Sequence, residues 1–328
     1  MEASIKSQFS SELLADAISR FGITASTVKE LDGFESFVYE CELAGQLRIL
    51  RISHSRHRSV DQIAAEIEWI QFLADHGLNV CFGVPSISGN FVERLGDDAD
   101  HFIAAVFLKA PGCPPTAEFQ TPELFESMGR MMGQMHWLAK QYQPASTNCR
   151  HDWFTDVDGL ARTYIPSDQP LIIEKFEAII EETQSLSKDV DSYGLIHFDF
   201  HSRNFLVDDV TIHLFDFDDG LYSWFADDIA MALFYAVSHD CRGTEELARA
   251  NGFLRHFLTG YRSKNELDGE WLQQIPLFLK RRELTLYAVI HRSIDLDNSD
   301  TWTKSFVDRR PWKIESDVPY IDLDFTNF

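Results

Sequence analysis

Apolar and polar positions alternate through much of the first third of the chain. Segments 37–43 and 46–52 alternate on either side of a short turn at 44–45, a pattern that predicts a β-hairpin. The apolar segment 102–108 predicts a further strand, and an Ala-Pro-Gly sequence at 110–112 favours a break after it. The pattern therefore predicts a sheet that is complete near residue 108.

One helix interrupts these strands. Ser59 and Gln62 form a capping-box pattern at its start, and Gly77 follows its end. Its apolar positions recur at the spacing of one helical face: Ile63, Ile67, Ile70 and Ala74. Glu66 lies on the same face, where a carboxylate requires a charged partner. Arg51, in the preceding strand, is the candidate for that partner.

Helical periodicity dominates after residue 112. Helices are predicted from 121, over 174–186, over 224–239 and over 277–293. Asp227 and Asp228 are expected to cap the third of these helices. We therefore predict an α+β protein of two lobes, in which 1–108 forms a small N-terminal sheet lobe and 109–328 a larger, mainly helical lobe.

Composition narrows the functional class. The 328 residues carry a formal net charge of −23, with a sequence pI of about 4.8. Such a surface repels phosphate backbones and anionic lipid and attracts cations, so we expect neither nucleic acid nor a membrane as a partner. The five cysteines contain no CxxC pair, no signal-peptide pattern opens the chain, and no apolar run approaches the ~20 residues of a membrane span. We expect a soluble, cytoplasmic protein.

The stretch 195–221 carries the candidate chemistry. Two short apolar strands flank an Asp-Asp turn there, with a polar loop before them and an Asp-rich segment after them. Asn204 follows Asp199 by five residues, and Asp216 follows after twelve more. Phosphoryl transfer from ATP needs a carboxylate to orient the acceptor hydroxyl and hard oxygen ligands to hold Mg²⁺. The three residues supply these groups in the order typical of a kinase.

These motifs also resemble those of a known family. The sequence HFDFHSRN at 197–204 is similar to the H-G-D-x-H-x-x-N loop of the aminoglycoside phosphotransferase and choline kinase family, which includes homoserine-kinase-like proteins and a stress-response protein kinase. LFDFDD at 214–219 is similar to the I-D-[FW]-[DE] metal segment of that family. The resemblance covers most of the chain. It implies a protein-kinase-like fold and the Mg²⁺-assisted transfer of the γ-phosphoryl group of ATP to a hydroxyl.

The resemblance implies roles for residues of the motif region. Asp199 is expected to be the catalytic base, and His201 occupies the position of a histidine that this family has in the same loop. Asn204 and Asp216 are expected to hold Mg²⁺, with Asp218 as an additional ligand.

Further roles are implied for the first lobe. Arg51 stands where family members carry a phosphate-contacting lysine, and Glu66 matches the glutamate of the helix that pairs with it. Gly33 marks a reduced form of the glycine-rich loop. The Leu108 carbonyl and the Ala110 amide are expected to face the adenine.

Two residues depart from the family pattern. Phe198 stands where the family usually has glycine, and the guanidinium of Arg51 differs from an ammonium in its fork geometry. The acceptor stays open among aminoglycosides, choline, homoserine, other hydroxylated metabolites and protein Ser or Thr. The resemblance implies a small hydroxylated acceptor, and acidic residues across the helical lobe suit one that carries positive charge; the sequence carries no signal for an oligomeric state.

Other interpretations compete with a small-molecule kinase. A Ser/Thr protein kinase of the stress-response type shares the motifs, and a non-catalytic pseudokinase is compatible with Arg51. FDFDDGL resembles the D-x-D-G-T segment of haloacid-dehalogenase-like phosphatases, with Asp216 as nucleophile. A metal-dependent hydrolase would use His197, Asp199 and His201 as ligands. The complete, ordered set of kinase residues favours an active kinase over the last three and leaves the protein kinase open.

Overall fold

The structure is a computed structural model that describes residues 3–96, 100–115, 121–145, 150–237 and 243–328. The chain forms two compact units. Unit 1 comprises Met1–Pro114, Tyr142–Arg150 and Arg203–Asp218, and unit 2 comprises Pro115–Gln141, His151–Ser202 and Asp219–Phe328. Unit 1 therefore includes the predicted lobe 1–108 together with the segment that carries the candidate metal ligands. The lobe boundary at 108 stays a prediction.

The elements have the following bounds. The strands are β1 (Lys29–Leu31), β2 (Phe37–Leu43), β3 (Gln46–His54), β4 (Gly83–Val84), β5 (Glu93–Leu95), β6 (Phe102–Leu108), β7 (Tyr193–Ile196), β8 (Phe205–Asp208), β9 (Thr211–Leu214) and β10 (Leu221–Trp224). The α-helices are α1 (Ala3–Lys6), α2 (Ser11–Phe21), α3 (Val60–Asp75), α4 (Pro122–Ala139), α5 (Phe154–Val157), α6 (Leu160–Tyr164), α7 (Pro170–Gln184), α8 (Phe225–Val237), α9 (Thr244–Arg262), α10 (Gly269–Leu272), α11 (Ile275–Ser293) and α12 (Thr301–Glu315). The predicted helix 224–239 corresponds to α8, and residues 238–239 lie outside the described residues.

The antiparallel sheet of unit 1 has the order β1-β2-β3-β6-β4, with β5 also paired to β6. The predicted hairpin is confirmed, since Leu43 pairs with Gln46 across the turn. Ala44 and Gly45 have φ values of 52° and 74°, the positive values that a two-residue type I′ turn requires. Successive side chains on a strand point to opposite faces, which places Arg51 on the face opposite its buried neighbours on β3.

Helix α3 begins as the sequence predicts. Ser59 Oγ accepts a hydrogen bond from the Gln62 backbone at 3.2 Å, and Gln62 Oε1 accepts one from the Ser59 backbone at 2.9 Å. These two bonds satisfy amides that have no partner within the helix. The isoleucines of the predicted stripe are buried, and Glu66 is buried on the same helix with 1% of its surface exposed. The capping box therefore sets the register that turns Glu66 inward.

Unit 2 is mainly helical around one two-stranded sheet, in which β7 and β10 pair antiparallel. Helices α4 and α9 pack closely at Gly129, where an added Cβ would lie 1.8 Å from the Phe257 carbonyl oxygen. Helix α8 follows β10 directly and is buried along most of its length. The segment after α12 packs on α8: the rings of Tyr320 and Phe234 are stacked, with their centroids 4.3 Å apart. In the described part of the chain, no helix combines the length and apolar composition needed to cross a bilayer.

Candidate active site

The hairpin β8–β9 of unit 1 brings Asn204 and Asp216 to the same end. Asn204 immediately precedes β8, Asp216 lies two residues after β9, and Phe205 pairs with Leu214 in the ladder. The Phe215 N–H donates to the Asn204 backbone oxygen at 3.0 Å, which extends the pairing by one step. The two candidate metal ligands are therefore held next to each other by backbone hydrogen bonding.

This pair is suited to Mg²⁺. Asn204 is buried, whereas Asp216 is exposed and has a φ of 61°, a conformation that costs an L-residue about 1–2 kcal/mol. Mg²⁺ typically takes one or two carboxylates from the protein and further oxygens from substrate phosphates. Among the described residues, no group of three or more His, Cys, Asp or Glu side chains could hold a metal alone. A hard cation shared with nucleotide phosphates fits this donor set.

The predicted contact between Arg51 and Glu66 is confirmed. Arg51 donates two hydrogen bonds to Glu66, from Nη1 to Oε1 at 2.8 Å and from Nη2 to Oε2 at 2.6 Å. Both side chains are buried, and the guanidinium carbon lies 4.8 Å from the centroid of the Phe107 ring. Burial disfavours the charged guanidinium, but attraction by Glu66 and Asp218 outweighs it and raises the pKa of Arg51.

Asp218 lies at the centre of a group of cations. Its Oδ2 accepts a hydrogen bond from His57 Nε2 at 2.6 Å, and Arg58 Nε lies 3.8 Å from the same oxygen. Arg51 Nη1 lies 3.9 Å from Oδ1. Burial favours the neutral acid, but His57 and the two arginines outweigh burial and lower the pKa of Asp218. Asp218 is thus an ionised, buried carboxylate already paired with protein cations, and its role as a Mg²⁺ ligand stays a prediction.

The backbone of Asp218 is held as well. Arg58 Nε donates to its carbonyl oxygen at 3.1 Å, and Arg150 Nη2 donates to the same oxygen. Arg150 also donates to the Gln62 carbonyl on α3 at 3.1 Å. Both arginines are buried. They therefore connect the segment after Asp216 to the helix that carries Glu66, within unit 1.

The reduced glycine-rich loop has a steric reason for its glycine. A Cβ on Gly33 would lie 2.3 Å from the Ser36 carbonyl oxygen and 3.0 Å from Val38, so a larger residue does not fit this turn. The Ser36 hydroxyl lies 2.9 Å from the Ser53 hydroxyl on β3. The loop is thereby attached to the strand that carries Arg51.

The predicted adenine-binding segment follows β6. The Leu108 N–H donates to the Phe82 carbonyl at 3.0 Å, and Ala110 is buried. Between them, Lys109 forms an ion pair with Glu40 on β2. These contacts fix the segment in unit 1, and its contacts with adenine stay a prediction.

Residues 197–202 of unit 2 follow β7 and form the candidate catalytic loop, which contains a strained residue. Phe198 has a φ of 67°, a conformation that favours glycine, which gives a physical reason for the glycine in the family pattern. Asp228 holds this turn: its Oδ1 accepts from the Phe198 N–H at 2.9 Å and its Oδ2 from the His197 N–H at 3.2 Å. His136 Nε2 lies 3.0 Å from Oδ2, and the carboxylate is completely buried.

The expectation that Asp227 and Asp228 cap a helix is wrong. Helix α8 begins at Phe225, so both residues lie inside its first turn. Asp227 accepts hydrogen bonds from Ser223 and from Arg281, and Asp228 binds the catalytic loop. Both carboxylates are used in tertiary contacts because buried donors from other segments surround them.

Asp199 and His201 form a pair in this loop. His201 Nε2 lies 3.2 Å from Asp199 Oδ2, and the two side chains are 11% and 20% exposed. The Asp199 N–H donates to His197 Nδ1 at 3.2 Å, which fixes the backbone before the pair. Burial favours the protonated carboxyl, but the hydrogen bond and charge of His201 outweigh it and lower the pKa of Asp199 to about 2. Asp199 is therefore ionised at neutral pH and accepts hydrogen bonds.

Sequence reasoning missed the contacts of four residues that hold these groups: His57, Arg58, Arg150 and Asp228. Their partners are distant in sequence. The sequence does contain a signal for Asp228. A polar loop that turns directly out of a buried strand leaves amides to be satisfied, so an acceptor such as Asp228 is required even though spacing does not identify it.

Comparison with known proteins agrees with this geometry. The family described as "Phosphotransferase enzyme family" matches residues 27–265. Amicoumacin kinase of Bacillus subtilis (strain 168) is 34% identical over 318 residues, which cover 96% of this chain and 95% of that protein. An uncharacterized protein of Synechocystis is 26% identical over 240 residues, or 70% of this chain and 63% of that protein.

Solved structures give the same result for the fold. An amicoumacin kinase in complex with AMP-PNP, Ca²⁺ and Ami has a TM-score of 0.94 at 32% identity, over 100% of this chain and 99% of that one. A microcompartment-associated aminopropanol kinase has a TM-score of 0.75 at 20% identity, over 94% and 96%. A spectinomycin phosphotransferase has a TM-score of 0.56 at 15% identity, over 96% of each chain. The predicted kinase-like α+β fold is confirmed.

Proposed function

The chain belongs to the phosphotransferase enzyme family, and from that premise we propose the acceptor and the residue roles of its reaction. It is an ATP-dependent phosphotransferase that acts on a hydroxyl group of a small molecule. We propose that its acceptor is amicoumacin or a compound of the same chemical type. The observation that carries this proposal is the TM-score of 0.94 with the amicoumacin kinase over the whole chain, at 32% identity.

The electrostatics of unit 2 support an acceptor with positive charge. Asp199 and Asp219 both attract the guanidinium of Arg282 and raise its pKa, so this part of unit 2 carries two carboxylates for one guanidinium. The formal net charge of the whole chain is −23, which attracts a cationic molecule over a longer range. We therefore place amine-bearing alcohols ahead of neutral polyols as acceptors.

Asp199 is the catalytic base in this proposal. Its ionised carboxylate accepts a hydrogen bond from the acceptor hydroxyl and so orients the oxygen for attack. A bond forms between that oxygen and the γ-phosphorus, the bond to the β–γ bridging oxygen breaks, and the hydroxyl proton moves toward Asp199. ADP and a phosphate ester are the products. His201 holds the carboxylate in place through its contact of 3.2 Å.

Residues of unit 1 bind the nucleotide. Asn204 and Asp216 supply the protein ligands for Mg²⁺, which neutralises charge on the β- and γ-phosphates when it is bound. Arg51, oriented by its two bonds to Glu66, donates to the phosphates. Gly33 allows the loop over the phosphates to turn tightly, and the Leu108 carbonyl and the Ala110 amide bind the adenine.

We also propose a cytoplasmic location, because the phosphoryl donor is ATP. The described cysteines Cys41, Cys81 and Cys113 are free thiols, a state that a reducing compartment maintains. Immunodetection in fractionated cells should find the protein with the cytosolic fraction, and a membrane or secreted fraction would contradict the proposal.

An ATP-consumption assay with product detection by mass spectrometry tests the acceptor. The panel contains amicoumacin, amino alcohols, polyols of equal size, aminoglycosides and a generic protein substrate, each with and without Mg²⁺. We expect Mg²⁺-dependent phosphorylation of amicoumacin at the highest kcat/KM, and amino alcohols ahead of polyols. The Asp199→Asn variant should keep its ATP affinity and lose about 10²–10⁴-fold in kcat.

Two outcomes would contradict the proposal. Phosphorylation of the protein substrate with none of the small molecules would favour a protein kinase. Wild-type turnover by Asp199→Asn would show that another group orients the acceptor.

A further inference from the structure

A short series of contacts in unit 2 connects the catalytic loop to helix α11. The imidazole of His201, beside Asp199, meets the Tyr235 ring edge to face, with ring centroids 4.3 Å apart. The Tyr235 hydroxyl accepts a hydrogen bond from Arg282 Nη2 at 2.6 Å. Tyr235 lies on α8 and Arg282 on α11, so three separate segments meet beside the proposed base.

Arg282 is held in a defined orientation. Its guanidinium carbon lies 5.5 Å from the centroid of the Tyr235 ring and 6.0 Å from that of Phe234. Its Nε is buried and has no hydrogen-bond partner among the described residues, so the Tyr235 hydroxyl is the group that orients it. Arg282 and Phe198, the residue before Asp199, line the same cavity of about 20 Å³.

The charges around Arg282 are complementary. Burial disfavours its positive charge, but Tyr235, Asp199 and Asp219 outweigh burial and raise the pKa of Arg282. Burial likewise raises the pKa of the Tyr235 hydroxyl, which therefore stays neutral at pH 7 and acts as a hydrogen-bond acceptor. Against the effect of burial, His201, Arg282 and His197 lower the pKa of Asp199.

We propose that Arg282 and Tyr235 are positioning residues for phosphoryl transfer, which hold the imidazole of His201 against Asp199. This inference rests on the proposed function, in which Asp199 accepts a hydrogen bond from the acceptor hydroxyl. Only an ionised carboxylate performs this role. The arrangement makes the rate depend on a residue of α11 that lies far from the catalytic motif in sequence.

Steady-state kinetics with ATP and amicoumacin test the proposal through kcat and the KM for ATP. The variants are Arg282→Met, which removes the charge at similar length, Arg282→Lys, which keeps it, and Tyr235→Phe, which removes one hydroxyl. Arg292→Met is the matched control, because Arg292 is an exposed arginine on the same helix. Calorimetric titration with ATP shows that each variant has folded.

We expect Arg282→Met to lower kcat at least about tenfold while the KM for ATP stays within about twofold. Arg282→Lys should recover most of kcat, because an ammonium can still donate a hydrogen bond to the Tyr235 hydroxyl. The kcat of Tyr235→Phe should lie between those of Arg282→Met and Arg282→Lys, and the kcat of Arg292→Met should match that of the wild type.

The proposal is overturned if Arg282→Met keeps the wild-type kcat. It is also overturned if Arg282→Lys and Arg282→Met lose kcat equally, since that result indicates packing alone. Tyr235→Phe provides the same test if Arg282→Met does not fold. A fully active Asp199→Asn would instead contradict the proposed function itself, so the two failures are distinguishable.

Discussion

The two units hold their candidate functional residues by different physical means. In unit 1, opposite charges are buried together: Arg51 makes two hydrogen bonds with Glu66, and Asp218 is surrounded by three basic side chains. In unit 2, one buried carboxylate, Asp228, accepts hydrogen bonds from the backbone amides of a strained turn. Side-chain charge orders the site in unit 1, whereas hydrogen bonds from backbone amides order the turn that precedes Asp199 in unit 2.

The difference has an energetic consequence. A buried ion pair that loses one partner leaves an uncompensated charge, which costs about 3–5 kcal/mol. A turn that loses one hydrogen-bond acceptor can relax its backbone at a smaller cost, about 1–3 kcal/mol for each unsatisfied group. Substitutions in unit 1 should therefore affect stability and nucleotide use together. Substitutions in unit 2 should affect mainly the placement of Asp199.

The largest effect is expected for the Arg51–Glu66 pair. Arg51→Ala should lower the free energy of unfolding by about 3–5 kcal/mol and kcat/KM for ATP by about 100-fold, because a phosphate donor and the partner of Glu66 are both lost. Glu66→Gln should be milder, since an amide oxygen still accepts one hydrogen bond. The double variant should lose less unfolding free energy, and less of log(kcat/KM), than Arg51→Ala and Glu66→Gln lose together. Arg51→Lys should keep part of the activity. Urea unfolding and steady-state kinetics measure these quantities.

The exposed pair Arg162–Glu177 of unit 2 is the control for this cycle. Its single variants, Arg162→Ala and Glu177→Gln, should leave the unfolding midpoint and kcat/KM close to wild type, and their effects should add. Additive losses at Arg51 and Glu66 with an unchanged KM for ATP would show that the buried pair has only a structural role.

The next effect concerns the acceptor of the strained turn. In the wild type, the two carboxylate oxygens of Asp228 accept hydrogen bonds from Phe198, His197 and His136. Asp228→Asn replaces one of these oxygens with an NH₂ group, so one donor then faces a group that cannot accept its hydrogen bond. We expect a loss of about 2 kcal/mol in the free energy of unfolding. We also expect a decrease of about tenfold in kcat, because Asp199 is misplaced. The KM for ATP should change little.

The variant His136→Gln separates the contribution of Asp228 to stability from its role in placing the loop before Asp199. It disturbs the third partner of Asp228 but leaves both loop amides with their carboxylate oxygens, so stability should fall while kcat stays within about twofold of wild type. Equal losses of kcat in His136→Gln and Asp228→Asn would mean that the amide bonds do not position Asp199.

The same contrast explains what the sequence could predict. Arg51 and Glu66 could be predicted as partners because a carboxylate on an apolar helix face requires a cation and because the family resemblance places a basic residue at Arg51. The hairpin that aligns Asn204 and Asp216 was visible as two apolar strands around an Asp-Asp turn. The sequence predicts a helix cap at Asp228 because it gives no sign of the true partners. These partners are the backbone amides of His197 and Phe198, and since nearly every residue has such an amide, no sequence pattern identifies them.

The basic residues around Asp218 escaped prediction for a related reason. His57, Arg58 and Arg150 have no apolar periodicity around them, so their contacts with Asp218 follow only from tertiary packing. Arg282 has no motif at all, and its relation to Asp199 depends on how α11 packs against α8. Local patterns predict elements and motif residues, whereas partners that are distant in sequence require the fold.

The smallest effect tests whether backbone strain exists at Phe198. Phe198→Ala and Phe198→Gly both remove the ring from the cavity, so they differ mainly in how they tolerate a φ of 67°. An alanine keeps the clash between Cβ and backbone, which costs about 1–2 kcal/mol, whereas glycine does not. Glycine has more freedom to lose on folding, which offsets part of this gain. We expect Phe198→Gly to be more stable than Phe198→Ala by about 1 kcal/mol in urea unfolding.

The order of the two variants is what makes this test informative. At Ala17, a buried position inside helix α2, the substitution Ala17→Gly should cost about 1 kcal/mol, because there glycine loses entropy and relieves no clash. Glycine should thus be the better residue at Phe198 and the worse one at Ala17 in the same protein. If alanine were the more stable residue at both positions, the turn would not be strained. Asp228 would then be needed only to satisfy buried amides, and the backbone of unit 2 would need no special support.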